Sequence, residues 1–515
     1  MKAIAALLVL TLLAPWPLAA QCPDGTPPPC GRPATPSRAM HPNGVAVLYL
    51  SSLSSDTTDA AIADGLTEDV IARLSQVQGL RVPSRYAVQQ YRGRRASDPR
   101  LVSRELGVKY VLDGSVRRVG ARLRVVLLMT DASAGFTAWG ETYDRSLDEI
   151  FSIEDSVAVR VAQVILGTGL TAQQRAPLVT GPAPTNAEAY QAFLRGRVAI
   201  RGRTAASASA AIADYRQAIA IDPRFARAWA GLAHALSLAR DWGWHLIGVD
   251  ADSVQPLAAR AAAQALALDS TSADSWLAAA MAGRPDDARQ ALRFHRRALA
   301  ADSTNIEALH QLAWGYLSLG EMDSAIAIER RVPDRDPYYA YAYAGLGEML
   351  NIVGRPQDAL AAITQGRAVD STLGALYWPA ADAELRLGRL DEARRSAARA
   401  RAYGFDPFGV RLLEALVALK AGDTAAVRVQ LPELDRTLLA DSTRAAGGLA
   451  FTSAGFLSGL HAQLGDAEGA AHWARRVPVW TQRFYAVYFA RHWFWAPVRD
   501  TPVFRALLAE LGAGG

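Results

Sequence analysis

The chain has 515 residues and a formal net charge of +5, and half of its residues are hydrophobic. A chain of this length exceeds one ordinary hydrophobic core, so we expect two or three domains. Lysine occurs only at Lys2, Lys109 and Lys420, and the arginines alternate with acidic residues along the predicted helices. Because nucleic-acid binding needs a concentrated basic face, the composition argues against this class and we expect no nucleic-acid partner.

The N-terminus, residues 1–20, has the pattern of a secretory signal peptide. Lys2 precedes an apolar stretch from Ala3 to Ala14, and small residues follow it. The apolar stretch is shorter than the roughly 20 residues that cross a bilayer. No later stretch is long and uncharged enough to cross one, so we expect a periplasmic or secreted mature chain without an integral membrane span. A permanent N-terminal anchor is the alternative.

Two cysteines, Cys22 and Cys30, lie in a proline-rich linker at residues 21–43. In an exported protein, two cysteines this close together predict one small disulfide loop. Lipidation of Cys22 is an alternative, although Gln21 stands where a lipidated cysteine is preceded by a small residue. Two thiols without a nearby histidine pair do not suit zinc, so we expect no metal and no other cofactor.

Residues 44–168 predict a mixed domain of strands and helices, because short apolar runs alternate with apolar residues at helical spacing. Three acidic residues, Asp64, Glu68 and Asp69, crowd one predicted helix, where we expect caps and a solvated face and not an acid–base site. The predicted elements in chain order are a strand at 45–50, a helix at 59–77, a strand at 80–82, a helix at 99–106, strands at 110–118, 122–131 and 138–143, and a helix at 150–166.

Three motifs in this domain resemble the TolB N-terminal-like family: Ala63-Asp64-Gly65-Leu66-Thr67-Glu68-Asp69, the run from Arg104-Glu105-Leu106-Gly107 to Arg118, and Trp139-Gly140-Glu141-Thr142-Tyr143-Asp144-Arg145. The resemblance implies an α/β domain of the kind that precedes tetratricopeptide (TPR) repeats and is attached to bacterial adenylate cyclases, winged-helix regulators or protein kinases. The family usually has Leu-Pro-Phe where this chain has Leu48-Tyr49-Leu50.

Beyond a second linker at residues 169–185 the sequence repeats. Gly320, Gly354, Gly388 and Gly422 recur every 34 residues, which is the period of stacked helix pairs. The finer pattern resembles the TPR motif and predicts about eight repeats over 186–480, with an insertion at 241–252 in the second repeat, a shortened first helix in the third, and capping helices at 481–515. The predicted fold class is therefore multidomain, an N-terminal α/β (TolB N-terminal-like) domain followed by an all-α TPR solenoid.

The candidate binding residues follow from the resemblance to TPR proteins, in which positions two, five, nine and twelve of each first helix face the concave groove. A groove that mixes aromatic, acidic and amide groups suits an extended peptide or a partner helix, and an unused groove is the alternative. Two tryptophans in the insertion of the second repeat are further candidates, with packing over the neighbouring repeat as the alternative. The candidates are Glu307, His310, Trp314 and Leu317, then Tyr341, Ala344, Glu348 and Asn351, and then Trp242 and Trp244.

The sequence contains no phosphate-binding Gly-x-x-x-x-Gly-Lys loop, no His-Glu-x-x-His motif, no Gly-x-Ser-x-Gly elbow and no kinase motif set. We therefore expect an exported, non-catalytic scaffold or adaptor that binds protein partners in the cell envelope. The alternative is a sensory or regulatory subunit whose TolB-like domain binds a ligand and signals to a separate cyclase or kinase. An unrecognised hydrolase is a third hypothesis.

Overall fold

The computed structural model describes residues 39–512 except for 55, 94–97, 121, 147–148, 179–185, 284–287, 406, 441–452 and 478–481. The predicted signal peptide and the predicted disulfide between Cys22 and Cys30 lie outside these residues. Helices make up most of the described chain, and the strands lie near its N-terminal end. Within the described ranges, no helix combines the length and the apolar character that crossing a membrane requires.

The N-terminal elements form a five-stranded sheet with helices on one face. The first two strands pair with β3 in parallel, and β3, β4 and β5 form an antiparallel meander. Buried and exposed side chains alternate along β4, so one face of the sheet is covered and the other is open. The bounds are β1 His41–Val47, β2 Ser51–Ser52, α1 Thr57–Ser75, α2 Arg85–Gln89, α3 Pro99–Leu106, β3 Val108–Val119, β4 Arg122–Asp131, β5 Phe136–Ser146, α4 Ile150–Leu166 and α5 Ala172–Arg175.

Most elements of this sheet domain lie where the sequence predicts them. The helices α3 and α4 have the predicted bounds, and Gly107 ends α3 with a left-handed φ of 66°. The strand predicted at 80–82 is wrong, because only Arg81 pairs there, in a single bridge with Gly44. Pro83 follows at once and has no N–H to extend a ladder.

Eight antiparallel helix pairs follow among the described residues, and each pair packs on the next. Two further helices and a short 3-10 helix, Trp493–Trp495, complete the chain. The pairs are α6 Ala187–Ile200 with α7 Ala205–Ile221, α8 Ala226–Asp241 with α9 Ala251–Leu268, α10 Ala273–Met281 with α11 Ala288–Ala301, α12 Ile306–Ser318 with α13 Met322–Arg335, α14 Ala340–Ile352 with α15 Pro356–Val369, α16 Tyr377–Arg386 with α17 Leu390–Ala402, α18 Pro407–Lys420 with α19 Thr424–Leu439, and α20 Ser453–Gln463 with α21 Ala467–Ala474; then come α22 Gln482–Arg491 and α23 Pro502–Glu510.

The periodic glycines make the turns inside the helix pairs. Gly320, Gly354, Gly388 and Gly422 all have a left-handed φ, between 73° and 94°, which residues with a β-carbon rarely adopt. The helix α10 has 9 residues whereas α12 has 13, a difference of about one turn. The predicted turn positions and the predicted shortening of the third repeat are therefore confirmed.

Aspartates make the turns between successive pairs. Each ends or follows the second helix, and its carboxylate accepts the backbone N–H of the residue two positions later, at 2.8 to 3.1 Å. This Asx turn satisfies a backbone donor that the ended helix no longer pairs. The aspartates are Asp222, Asp269, Asp302, Asp336 and Asp370, and two more that the sequence predicts, Asp406 and Asp441, lie outside the described residues.

The sheet domain and the first repeats share one hydrophobic core. A single cluster of buried side chains runs from Val45 to Ala282, and α1 packs directly on α6. Gly65 permits this packing, because a β-carbon there would lie 2.3 Å from Leu194 Cδ2. The first repeat is therefore packed directly against the sheet domain.

The C-terminal helices contact both the last pair and the middle of the solenoid. The helix α23 packs on α21, and Phe494 and Trp495 are buried against α20. In the other direction α22 reaches α12, and His492 contacts Asp382 of α16. Residues 482–492 therefore pack against first helices of the pairs, α12 and α16, and cover part of the surface that these helices form.

Candidate functional site

A pocket of about 740 Å³, counted with its open mouth, lies on the side of the solenoid formed by the first helices of the pairs. One face of α14 supplies Tyr341, Ala344, Gly345 and Glu348, spaced three and four residues apart as one side of a helix requires. Further walls come from α12, from the end of α8, from the turn between α6 and α7, and from the start of α16. Five separate repeats therefore build one site.

Gly345 brings the wall of α12 close to α14. A β-carbon at this position would lie 2.7 Å from Glu329 Oε1 and 3.3 Å from His310 Cε1. The first distance is shorter than a β-carbon tolerates and the second is tight, so glycine lets the Glu329 carboxyl and the His310 ring lie against the α14 backbone.

His310 fixes the orientation of the Trp314 ring in the pocket wall. The indole N–H of Trp314 donates to His310 Nε2 at 3.2 Å, and an indole nitrogen is a donor only. The imidazole proton therefore lies on Nδ1, which donates to Glu329 Oε1 at 2.7 Å. Burial raises the pKa of Glu329. The polar edge of Trp314 is thus used inside the protein, and its ring is left to face the pocket.

Arg203 forms the opposite wall and joins the first repeat to the fourth and fifth. It lies in the turn between α6 and α7 with a φ of 44°, unusual for a residue with a β-carbon. Its guanidinium lies 3.2 Å from Glu307 Oε2 and 4.2 Å from the centre of the Tyr341 ring. Burial opposes ionisation of Glu307, but Arg203 and the Tyr339 hydroxyl outweigh it and hold the pKa of this carboxyl below its usual range. The charge of Arg203 is therefore balanced inside the protein.

Glu348 is the pocket carboxyl without such a partner. Its side chain is buried, with 3% of the residue exposed, and its Oε2 atom has no hydrogen-bond partner in the described part of the chain. Burial, with the nearby Asp382 carboxylate, raises the pKa of Glu348 well above its usual range. Asp382 itself accepts hydrogen bonds from His492 Nε2 at 3.0 Å and from Trp493 Nε1 at 2.8 Å.

The two tryptophans predicted from the insertion have different positions. Trp242 lines the pocket, and its ring centre lies 5.8 Å from that of Trp244 and 6.4 Å from that of Phe405, which follows α17. Trp244 instead packs with Leu277 and other residues of the second and third repeats. The contact between Trp242 and Phe405 spans the pocket side of the solenoid, from the second repeat to the end of the sixth.

Of the predicted binding residues, His310, Trp314, Tyr341, Ala344, Glu348 and Trp242 come together in this pocket. Leu317 is fully buried in the hydrophobic core, so its prediction as a groove residue is wrong. Asn351 is also fully buried, and its amide donates to the backbone oxygen of Pro379 at 2.8 Å. Glu307 is buried and holds Arg203. The twelfth position is therefore buried in both repeats, which removes Leu317 and Asn351 from the surface.

The prediction that Asp64, Glu68 and Asp69 are caps and a solvated face is also wrong. All three are buried, with 3 to 6% of each residue exposed, because α6 packs on this face of α1. Arg197 pairs with both Glu68 and Asp69, at 2.7 Å each. Arg201 pairs with Asp64 at 3.3 Å. Arg197 of α6 and Arg201, the residue that follows this helix, therefore pair with carboxylates on α1.

A second layer of the same network reaches α4 and α8. Arg227 of α8 lies 2.8 Å from Asp69 Oδ1, and the Tyr190 hydroxyl lies within hydrogen-bond distance of both Asp69, at 2.8 Å, and Glu154, at 2.6 Å. Arg73 pairs with Glu154 at 2.8 Å. Burial opposes ionisation of Asp69, but Arg227 and Arg197 hold the pKa of its carboxyl well below the usual range. Asp69 is therefore ionised, whereas burial and the Asp69 charge raise the pKa of Glu154 to about 7. The arginine pairs and the Tyr190 contacts of this cluster join the sheet domain to the solenoid.

A metal site is not visible in the part of the chain that the structure describes, where no group of three or more His, Cys, Asp and Glu side chains is placed to hold an ion. His461 is bracketed by Asp466 at 2.7 Å and Asp435 at 3.0 Å, and this contact lies within the last helix pair and its neighbour. The pocket described above has room for another molecule.

Comparison with known proteins finds a relative that matches part of the chain. No protein-family model matches the chain. The chain is 39% identical over 209 residues to the putative adenylate cyclase 3 of Rhizobium meliloti (strain 1021). The match covers 40% of this chain and 33% of that protein, so the chain spans about a third of the length of the curated relative it matches.

Solved structures similar to this chain include TPR proteins. YrrB, a TPR protein with an unusual peptide-binding site, is 17% identical, with 38% of this chain and 95% of YrrB covered and a TM-score of 0.25. PilW, a type IV pilus biogenesis factor, is 19% identical, with 42% and 94% covered and a TM-score of 0.33. A TPR protein from Parabacteroides merdae is 12% identical, with 64% and 100% covered and a TM-score of 0.31. At these values the likeness adds nothing to the helix pairs and turns described above, on which the TPR-like architecture rests.

Proposed function

We propose that this chain is an exported, non-catalytic TPR scaffold of the cell envelope that holds a protein or peptide partner in the pocket between Arg203 and Glu348. The observation that carries the proposal is the pocket itself, which five repeats build from aromatic and polar side chains. TPR-like solenoids bind their partners on the face that the first helices form. The absence of catalytic motifs from the sequence agrees with a binding role.

Two parts of the proposal rest on sequence alone. The N-terminal pattern supports export, and the three motifs between Ala63 and Arg145 support a TolB N-terminal-like domain at residues 44–168. The buried arginine and carboxylate network then has a role, since it keeps this domain in one orientation on the first repeat.

Site-specific crosslinking in living cells tests the proposal. A photoreactive amino acid at Gln311, which lines the pocket, is expected to capture a distinct partner, while the same amino acid at Val429, which is 80% exposed on α19, captures none. Gln311 is preferred to Trp314 because the Trp314 indole is needed to hold His310. Equal labelling from both positions, or none from either, would reject the pocket as the binding site.

The similarity to a putative adenylate cyclase favours a second candidate function. In it the chain is a regulatory subunit whose TolB-like domain binds a ligand and signals to a separate cyclase or kinase. The same crosslinking experiment separates the two, because mass spectrometry identifies the captured partner. A cyclase or kinase captured at Gln311, with cellular cyclic AMP or phosphorylation changed on deletion of the chain, supports the regulatory role. A partner of another class supports the scaffold.

A further inference from the structure

The charges around the pocket balance except at one end. Arg203 is neutralised by Glu307, and Asp241 pairs with Arg240 at 2.6 Å. Glu348 alone among the charged pocket residues that the structure describes has a buried oxygen without a hydrogen-bond partner. Glu348 therefore lines the pocket with a buried carboxyl group whose hydrogen bonds are not all satisfied.

The surroundings of this carboxyl select the charge of a ligand. A buried carboxyl group without a partner is costly, and a charge-assisted hydrogen bond from an ammonium or guanidinium group removes that cost. Asp382 lies close enough to act on Glu348, so a cation is attracted by Asp382 and by Glu348 once Glu348 is ionised, and an anion is repelled by Asp382. Phosphate and carboxylate ligands are thereby disfavoured at this end.

The walls suit the alkyl and cationic parts of a basic side chain. Trp242, Trp314 and Tyr341 line the pocket, and aromatic ring faces attract cations and cover methylene groups. Trp314 donates its N–H to His310, and the Tyr341 ring already receives Arg203 on one side. An analogous arrangement, a cation against an aromatic ring beside a buried carboxylate, thus already exists within the pocket at Arg203, Tyr341 and Glu307.

We propose that the pocket receives one lysine or arginine side chain of a partner polypeptide, with Glu348 as its counterion. This inference rests on the proposed function, because it names the chemistry of the partner that the scaffold holds. The contact between Trp242 and Phe405 crosses the pocket side of the solenoid. A whole helix therefore has less room there than a single side chain that projects from an extended segment.

Selection of peptides on the full chain tests the inference. A phage-displayed library of random nonapeptides is selected on the immobilised protein, and a selected peptide is synthesised with its basic residue intact or replaced by norleucine. We expect the selected sequences to share one Lys or Arg. Calorimetry should then show at least a roughly tenfold loss of affinity for the norleucine peptide, the same loss for Glu348→Gln, and no further loss when both changes are combined.

The matched control is Glu392→Gln, which removes one negative charge from an exposed position on α17 and should bind peptide like the unchanged protein. Glu348→Met, of similar volume, is the second variant if Glu348→Gln has an altered melting temperature. Selected peptides without a shared basic residue, or full affinity in both Glu348 variants, would overturn the inference and leave the scaffold function standing. Failure to select any peptide would remove both. Equal binding of spermidine would overturn the assignment to a polypeptide side chain.

Discussion

Gly65 of α1 and Leu194 of α6 lie in direct contact, since a β-carbon at position 65 would be 2.3 Å from Leu194 Cδ2 and 2.8 Å from its Cδ1. Leu194 is 1% exposed and has little room to move. We therefore expect Gly65→Val to destabilise the chain by about 1–3 kcal/mol through overpacking, even though valine favours a helix more than glycine does. Denaturant unfolding measures the change.

The control for this overpacking is Gly169→Val, because Gly169 has no described atom near its β-carbon position. Adding Leu194→Ala to Gly65→Val should recover part of the lost stability, because it makes room for the new side chain. Equal effects at Gly65 and Gly169 would show that the close packing of α1 on α6 is absent.

Removal of Arg197 should be far more costly than removal of a surface arginine. Arg197→Ala leaves the buried carboxylates of Glu68 and Asp69 with one fewer partner, so we expect a loss of about 3–5 kcal/mol in the free energy of unfolding. Arg394→Ala breaks only an exposed pair with Asp391 and should cost less than about 1 kcal/mol. Chemical denaturation of both variants checks the difference, and similar losses would contradict the buried network.

His295 should make the chain sensitive to acid. Burial lowers its pKa from 6.5 to about 3, so below pH 6.5 the unfolded chain binds a proton that the folded chain does not. The contribution of the neutral His295 ring to the free energy of unfolding is fully present above pH 6.5. It is lost as the pH falls towards 3, by up to about 1.4 kcal/mol per pH unit. His295→Leu removes this dependence. The melting temperature measured between about pH 4 and about pH 8 should depend less on pH in the variant, and an equal dependence in both proteins would refute the explanation.

Binding of a basic peptide should strengthen as the pH rises. Burial and Asp382 raise the pKa of Glu348, so the free pocket holds a protonated carboxyl that must lose its proton to pair with a cation. Asp382 is held by His492 and Trp493, and the Tyr488 hydroxyl also lies near both carboxyls. Affinity should fall as the pH drops through the raised pKa of Glu348. Calorimetry with Glu348→Gln should show no such change, and an identical pH profile in this variant would assign the titration to the neighbours.

Export predicts a shortened N-terminus and an oxidised loop. We expect mass spectrometry of the protein from the periplasm to lack residues 1–20 and to show Cys22 and Cys30 protected from alkylation until reduction. Cys22→Ser should leave Cys30 reactive without reduction. An intact N-terminus in the cytoplasmic fraction would contradict export, and a lipid attached to Cys22 would replace the disulfide prediction with membrane anchoring.

Turn chemistry and helical spacing made much of the solenoid predictable. A left-handed turn at Gly354 and an Asx turn at Asp370 depend on a few neighbouring residues, so the sequence reports them directly. The same holds for Tyr341, Ala344 and Glu348, whose spacing alone places them on one side of α14. Turns and helix faces can be predicted from the sequence because the interactions that cause them involve residues close together in the chain.

The other walls of the pocket depend on which distant repeats lie next to one another, and no local sequence pattern shows this. Arg203 reaches Glu307 across more than two repeats, and Trp242 meets Phe405 across four. The burial of Asp64 and its neighbours was missed for the same reason, since acidic residues on a helix look solvated until the docked helix is known. The available signal was the four-residue spacing of Arg197 on α6 and Arg201 directly after it.

The contact between Trp242 and Phe405 also changes how the array comes apart. A solenoid whose repeats touch only their neighbours behaves like a one-dimensional chain, in which end repeats fray independently. Here Trp242 of the second repeat contacts Phe405 at the end of the sixth. The ring centre of Tyr86 in the sheet domain lies 4.9 Å from that of Tyr339, directly before α14. Such closures link the fates of repeats far apart in sequence. We therefore expect the described repeats to unfold more cooperatively than those of a solenoid in which each repeat touches only its neighbours.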